Sequence, residues 1–181
     1  MIKKKLFNFY IFLEKINSSI EKNILSLNKK NVIINFTLNN KNIQQFHNII
    51  KFVRKNRINF YIKDDYKLAI KYKADGLFLS SNNKSFKKPS FVKKNFIVIG
   101  SAHSQFEYYI KMKQSCDLIT FSPIFYNKKY SINKILNIIK FNLLTLHWKC
   151  SLCALGGINK NNLNKILSTR TRMVGIKSFI E

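Results

Sequence analysis

Two adjacent glycines, Gly156 and Gly157, stand where an apolar run gives way to a polar one in the segment CALGGINKNN (153–162). The chain has only five glycines, so a doubled one marks a demand on the backbone. Two chemistries answer that demand. A Gly-Gly pair can turn a strand into a following helix, or it can bring bare N–H groups up to an anion, a phosphate above all. A second spacing that could do chemistry lies just upstream, in Cys150-Ser-Leu-Cys153. A zinc site needs further thiols or imidazoles at metal-ligand spacing, and neither a second CxxC nor a His pair accompanies this one. Residues three apart on a strand also face opposite ways. The cysteines, with Cys116, read as reduced thiols, the pair on a core strand.

Which elements would hold the glycine pair? Short β-branched or aromatic runs recur at 5–13, 31–38, 58–62, 76–80, 95–100, 117–122, 150–156 and 172–176. Between most of them the apolar spacing turns helical, at 16–27, 42–55, 65–73, 103–114, 131–144 and 159–169. Asp64 or Asp65 suits the N-cap of the third of these helices. The fourth and fifth strands are joined by a loop with Ser, Asn and Pro. Alternating strands and helices predict a parallel sheet with crossover helices. Eight such units predict an α/β fold of the (β/α)8 TIM-barrel type, a short one with its last helix truncated, in a single domain over 1–181. A doubly wound open sheet is the alternative arrangement.

In a parallel barrel, ligands sit at the C-terminal ends of the strands, and the last two loops commonly hold a phosphate. On this reading Gly100, Gly156, Gly157 and Gly175 all fall at C-terminal strand ends, whereas Gly76 begins the fourth strand. Gly156, Gly157, Ile176, Lys177 and Ser178 form a candidate phosphate cradle; a plain strand-to-helix turn is the other reading of the glycines.

The charge balance is lopsided, with 33 basic residues against 8 acidic ones and a net charge of +25. Such a surplus suits nucleic acid, anionic lipid or anionic substrates. The lysines run along the whole chain, however, amid abundant Asn and Ile, which is the pattern of an AT-rich coding bias. The many Phe and Tyr lie in strand-like runs rather than beside basic clusters. No specific nucleic-acid partner is expected. The run LFNFYIFL (6–13) after three lysines contains Asn8, is short and has no small-residue cleavage site, so it predicts neither a signal peptide nor a membrane span. A cytoplasmic protein without a membrane partner is expected.

Four stretches in register carry a family resemblance over residues 58–180. FYIKDDYKLAIKYKADGLFLS resembles a strand ending in Asn-Asp, a "LAI" helix and "ADGVHLGQ". VIGSAHS resembles "GVSTH". DLITFSPIF resembles "DYIGLGPIF". ALGGIN, followed by a short strand into IKSFI, closes the series. In these features the chain resembles thiamine phosphate synthases and their thiazole tautomerase (TenI-like) relatives. The resemblance implies a (β/α)8 barrel that joins a hydroxymethylpyrimidine diphosphate to a thiazole phosphate, with Mg2+, and releases pyrophosphate. Its partners would be these small phosphorylated substrates, and a homo-oligomer is compatible with it.

Carried over residue by residue, the resemblance assigns metal binding to Asp64. It assigns a strand-five catalytic loop to Ser101 and His103, and a pyrophosphate contact to Lys128 or Lys129. The thiazole phosphate falls to Gly156, Gly157 and Ser178. A helix-start or packing role is the alternative for His103. Lys63 replaces the family's Asn and would supply cationic charge to a phosphorylated substrate. The chain also departs from the pattern: Asn83 stands near the second metal carboxylate of "GQED", Asn35 and Phe36 stand where strand two should supply an Arg, and Pro123 replaces the tautomerase His. A synthase-like enzyme is therefore expected first. A non-catalytic binder or regulator recognising a thiazole or thiamine phosphate comes next, and a basic nucleic-acid-binding protein last.

Overall fold

A computed structural model describes residues 7–35, 38–39, 41–87, 95–126 and 131–176. Eight strands close into one barrel in chain order: β1 Asn8–Leu13, β2 Lys29–Ile34, β3 Asn59–Lys63, β4 Gly76–Leu79, β5 Ile97–Ala102, β6 Leu118–Phe121, β7 Ser151–Ala154 and β8 Met173–Ile176. Every neighbouring pair is parallel, and β8 closes on β1 through the pairing of Asn8 with Met173 and Ile11 with Ile176. The open doubly wound sheet is thereby excluded.

The strand period of two divides the buried residues into two layers. Tyr10, Phe12, Ile33, Tyr61, Phe78, Ile99, Leu118 and Cys153 fill the barrel. Their sequence neighbours Phe9, Ile11, Ile34, Ile62, Leu77, Val98, Ile119, Ala154 and Val174 pack outward beneath the helices. Because both faces are covered, the strands are apolar almost throughout rather than alternating.

The helices are α1 Ser18–Leu25, α2 Ile43–Lys55, α3 Tyr66–Lys71, α4 Gln105–Lys113 and α5 Asn137–Thr145. Asn17, Asp65 and Ser104 cap α1, α3 and α4, each accepting from a backbone N–H of the first turn. Asp65, not Asp64, is thus the cap of α3.

Two expected helices are altered. The run 131–144 breaks into a 3-10 turn, Ile132–Lys134, and α5. The break falls where Leu136 N leaves the helical ladder to bind Pro123 O at 2.9 Å. The run 159–169 is reduced to a 3-10 segment, Leu163–Ser168. Here the Asn159 side chain accepts from the N–H groups of Asn161 and Asn162, and the Asn162 side chain from that of Asn159. Asparagines that bond the local backbone in this way compete with an α-helix.

β5 extends two residues beyond its expected end, so Gly100 lies inside the strand rather than at its mouth. It faces the helices, where an added Cβ would stand 2.9 Å from Lys111 Cγ and Cδ and from Cys116 Sγ. Gly100 therefore makes room for a side chain from α4; it does not approach a ligand.

Candidate active site

The C-terminal strand ends surround a cavity of about 620 Å3. Phe12 and Phe78 lie against each other edge to face at 5.2 Å between ring centres and line it together with Leu155. Around them stand Asn35, Lys63, Ser80, Ser101, His103, Ser122, Gly156, Gly157 and Gly175. The opposite end of the barrel holds a smaller hollow of about 390 Å3 with Lys29, Arg170 and Arg172. There Arg170 donates to the carbonyls of Thr145, Leu146 and Trp148, and Arg172 to those of Thr169 and Thr171. Those arginines tie the lower loops together.

On one side of the mouth is the β7 turn. Gly156 and Gly157 have φ of +92° and +70°, a region that costs a side chain strain. A Cβ on Gly156 would stand 2.8 Å from Pro123 Cα, and one on Gly157 2.4 Å from the carbonyl oxygen of Tyr126. So the pair serves the turn reading of the sequence. It makes the turn, and it lets the β6 loop close against it, with Phe125 N donating to Gly156 O at 3.1 Å. The N–H groups of Gly156 and Gly157 make no hydrogen bond among the described residues. Ile176 is buried in the outer layer, so its side chain does not line the cavity; Gly175, one residue earlier, does. Alternation along β8 turns the Ile176 side chain outward and the glycine inward, so Ile176 could meet a ligand only through its backbone. Lys177 and Ser178 lie outside the described residues.

On the other side are β3 and β4. Lys63 ends β3, half-buried in the cavity wall, and its ammonium has neither a hydrogen bond nor an ion pair among the described residues. Asp64 follows with φ of +53°, left-handed and tolerable for an aspartate. Its Oδ1 accepts from Ser80 N at 2.9 Å and from Asn83 Nδ2 at 3.1 Å. The other oxygen, Oδ2, accepts none among the described residues.

Between the two sides, Ser101 points into the cavity from β5, buried but with its hydroxyl unbonded among the described residues. His103 follows β5. Its Nδ1 is 2.9 Å from Ser122 O and 3.0 Å from Ser122 Oγ. A carbonyl can only accept, so the tautomer that bonds Ser122 O is the one with the proton on Nδ1. His103 N donates to Glu107 Oε2 at 2.7 Å, while Ser104 caps the same turn. Helix-start and cavity roles are thus combined in one residue. Lys128 and Lys129 lie outside the described residues.

How well do these groups suit Mg2+? The described residues contain no cluster of three His, Cys, Asp or Glu. Asn83, in place of a second carboxylate, turns its amide N–H toward Asp64 and accepts Phe86 N at 3.2 Å on its oxygen. Mg2+ commonly binds through one or two carboxylates and completes its shell with substrate phosphates and water. The residues fit Mg2+ in that one-carboxylate form, with Asp64 Oδ2 as the protein oxygen.

Ser122 and Lys111 escaped the sequence reading. Ser122 lacks any local motif. Asn35 donates to Glu14 at 3.2 Å in place of the missing Arg. Lys111 is fully buried on α4; a lysine one turn from Tyr108, on the same helical face, is the signal that could have revealed it. The cysteines are all reduced, and Cys153 lies wholly inside the barrel, where burial pushes its thiol pKa up. It is a packing residue. Among the described residues no helix is long and apolar enough to cross a membrane.

Residues 23–180 match the family model for thiamine monophosphate synthase. A thiamine-phosphate synthase from Pelagibacter ubique is 25% identical over 175 residues, covering 96% of this chain and 82% of that protein. One from Prochlorococcus marinus is 30% identical over 122 residues, which are 67% of this chain and only 35% of that longer protein. The thiamine phosphate pyrophosphorylase of Pyrococcus furiosus superposes with a TM-score of 0.72 at 17% identity, over 97% of this chain and 87% of its own. That structural likeness shows the barrel, and the match over most of the chain shows the family: the chain belongs to the thiamine monophosphate synthase family.

Proposed function

We propose that the protein is a thiamine phosphate synthase, coupling a hydroxymethylpyrimidine diphosphate to a thiazole phosphate. The observation that carries this reading is the two-ended cavity. Backbone N–H groups of Gly156 and Gly157, unbonded among the described residues, stand at one end, and the Lys63 ammonium next to Asp64, likewise unpaired among them, at the other. A substrate pair with a phosphate on one partner and a diphosphate on the other suits that division.

In the reaction, the bond from the pyrimidine methylene carbon to the diphosphate oxygen breaks, and its electron pair leaves with pyrophosphate. The thiazole ring nitrogen supplies the pair for the new C–N bond. Charge builds up on the leaving diphosphate, so fixed positive charge there lowers the barrier most. Lys63 supplies one such charge. Mg2+, when bound at Asp64 with the diphosphate, would neutralise more of it. Gly156 and Gly157 hold the thiazole phosphate, which places the ring nitrogen. Ser101 and His103, on the wall between the two ends, orient the pyrimidine and the leaving group. Lys128, Lys129, Lys177 and Ser178 complete the proposed site by the family's pattern.

Purified protein supplied with both substrates and Mg2+ should form thiamine phosphate and pyrophosphate in equal amounts. If it forms neither yet binds the thiazole phosphate, the reading gives way to a non-catalytic binder.

A further inference from the structure

The β4 turn that donates to Asp64 is itself held from below. Lys111 reaches up from α4 with its stem lying over Gly100. Its ammonium, fully buried, donates to Ser80 O at 2.7 Å, Asn83 O at 2.6 Å and Gln114 Oε1 at 3.0 Å. All three acceptors are neutral oxygens. Gln114 Nε2 donates in turn to Asn83 O at 3.1 Å. A buried ammonium fixed by carbonyls and not by a carboxylate is a costly way to hold a loop, because desolvation works against the charge. Burial accordingly pushes its pKa down, against weaker support from Cys116, Asp64 and Glu107. An apolar residue could fill the same space on α4 without that cost.

The two carbonyls that Lys111 grips belong to the two residues that reach Asp64. Ser80 offers its N–H and Asn83 its side-chain amide, both to Oδ1. We propose that Lys111 is the positioning residue for the diphosphate end of the site: it fixes Ser80 and Asn83 so that both donate to Asp64 Oδ1, which leaves Oδ2 as the oxygen available to Mg2+·diphosphate. This deepens the proposed function and rests on its assignment of the diphosphate to Asp64. Where a second carboxylate is missing, the chain has a cation-pinned turn that orients the one it keeps.

The test is a double-mutant cycle with Mg2+·pyrophosphate as the probe and calorimetry as the readout. Lys111→Met should weaken binding at least tenfold in the otherwise unchanged protein and less than twofold in an Asp64→Asn background, because its effect passes through Asp64. Equal losses in both backgrounds, or no loss in either, would overturn the proposal. A purely structural role predicts equal losses. In the free protein, hydrogen exchange at Ser80 N–H should quicken at least tenfold in Lys111→Met while the β6 and β7 amides keep their rates; unchanged exchange at Ser80 also overturns it. Should Lys111→Met not fold, Gly100→Ala displaces the lysine stem without removing the charge and should change both readouts in the same direction. A parent protein that binds no Mg2+·pyrophosphate would sink the assigned diphosphate end, and exchange at Ser80 then decides the pinning by itself.

Discussion

Asn83 donates its side-chain amide to Asp64 Oδ1 across 3.1 Å, so an uncharged residue closes the place where a second carboxylate would face the first. The contact is a direct hydrogen bond, and it occupies Oδ1 without a metal. Asn83→Asp replaces that donor with a second negative charge at hydrogen-bond distance. Without a divalent ion the variant loses the bond and gains repulsion, and should be about 1–3 kcal/mol less stable. Mg2+ should recover most of that loss, as ligand linkage requires. Urea unfolding in EDTA and in Mg2+ measures both; a variant equally stable in the two buffers would show that the residues do not share an ion.

The β7 turn gives a second expectation. Gly157→Ala would place a methyl group 2.4 Å from a backbone oxygen at φ of +70°, where an L-residue is strained. Backbone cannot swing aside as a side chain can. The variant should be destabilised by at least about 2 kcal/mol, and it should lose affinity for the thiazole phosphate beyond what the stability loss explains. Urea midpoints and phosphate calorimetry on the folded fraction separate the two effects.

The opposite end is tested by Lys63→Ala. Among the described residues this ammonium has no partner to leave stranded, so its removal should change stability little. A charge-assisted bond to a diphosphate contributes about 1.5–3 kcal/mol. Pyrophosphate should therefore bind roughly tenfold to a hundredfold more weakly, while the thiazole phosphate binds as before. An equal loss for both ligands would mean that Lys63 acts on the cavity as a whole.

These residues differ in how far the sequence revealed them. The eight strands were legible because each is a short β-branched or aromatic run that needs no partner to be recognised. Gly156 and Gly157 were legible as a backbone demand, and the structure identifies the neighbours that impose it, Pro123 on the first and Tyr126 O on the second. Gly100 was misread for the same reason: a glycine records that space is needed, not on which face of the strand. The face that the Ile176 side chain takes was not legible, because a one-residue offset on a strand exchanges the two faces. Lys111 stayed hidden because α4 inverts its apparent pattern. Phe106 is 70% exposed and Tyr109 55%, while a lysine is buried. Two of its three acceptors lie 28 and 31 residues away in sequence, beyond the reach of any local period.

The barrel interior carries the last expectation. Tyr61 is almost wholly buried, and burial, with a smaller contribution from the negative charge of Asp75, pushes its pKa up to about 12. Tyr10, 6.2 Å away between ring centres, is raised further by the same cause. In the unfolded chain both phenols ionise near pH 10. Between about pH 10 and 12 the folded state therefore keeps protons that the unfolded state gives up. Linkage then makes stability fall as pH rises through that window, by roughly 2–3 kcal/mol from Tyr61. Lys111 has the opposite sign, but its lowered pKa confines its contribution below about pH 10.5, the ordinary lysine value, so it adds no slope above. Tyr61→Phe should lessen the decline in the urea midpoint between pH 10.5 and 12, and Tyr10→Phe with Tyr61→Phe should lessen it further, leaving the part that the buried Cys153 thiol contributes. A decline of unchanged steepness in the double variant would show that the inner phenols are not what the alkaline limb titrates.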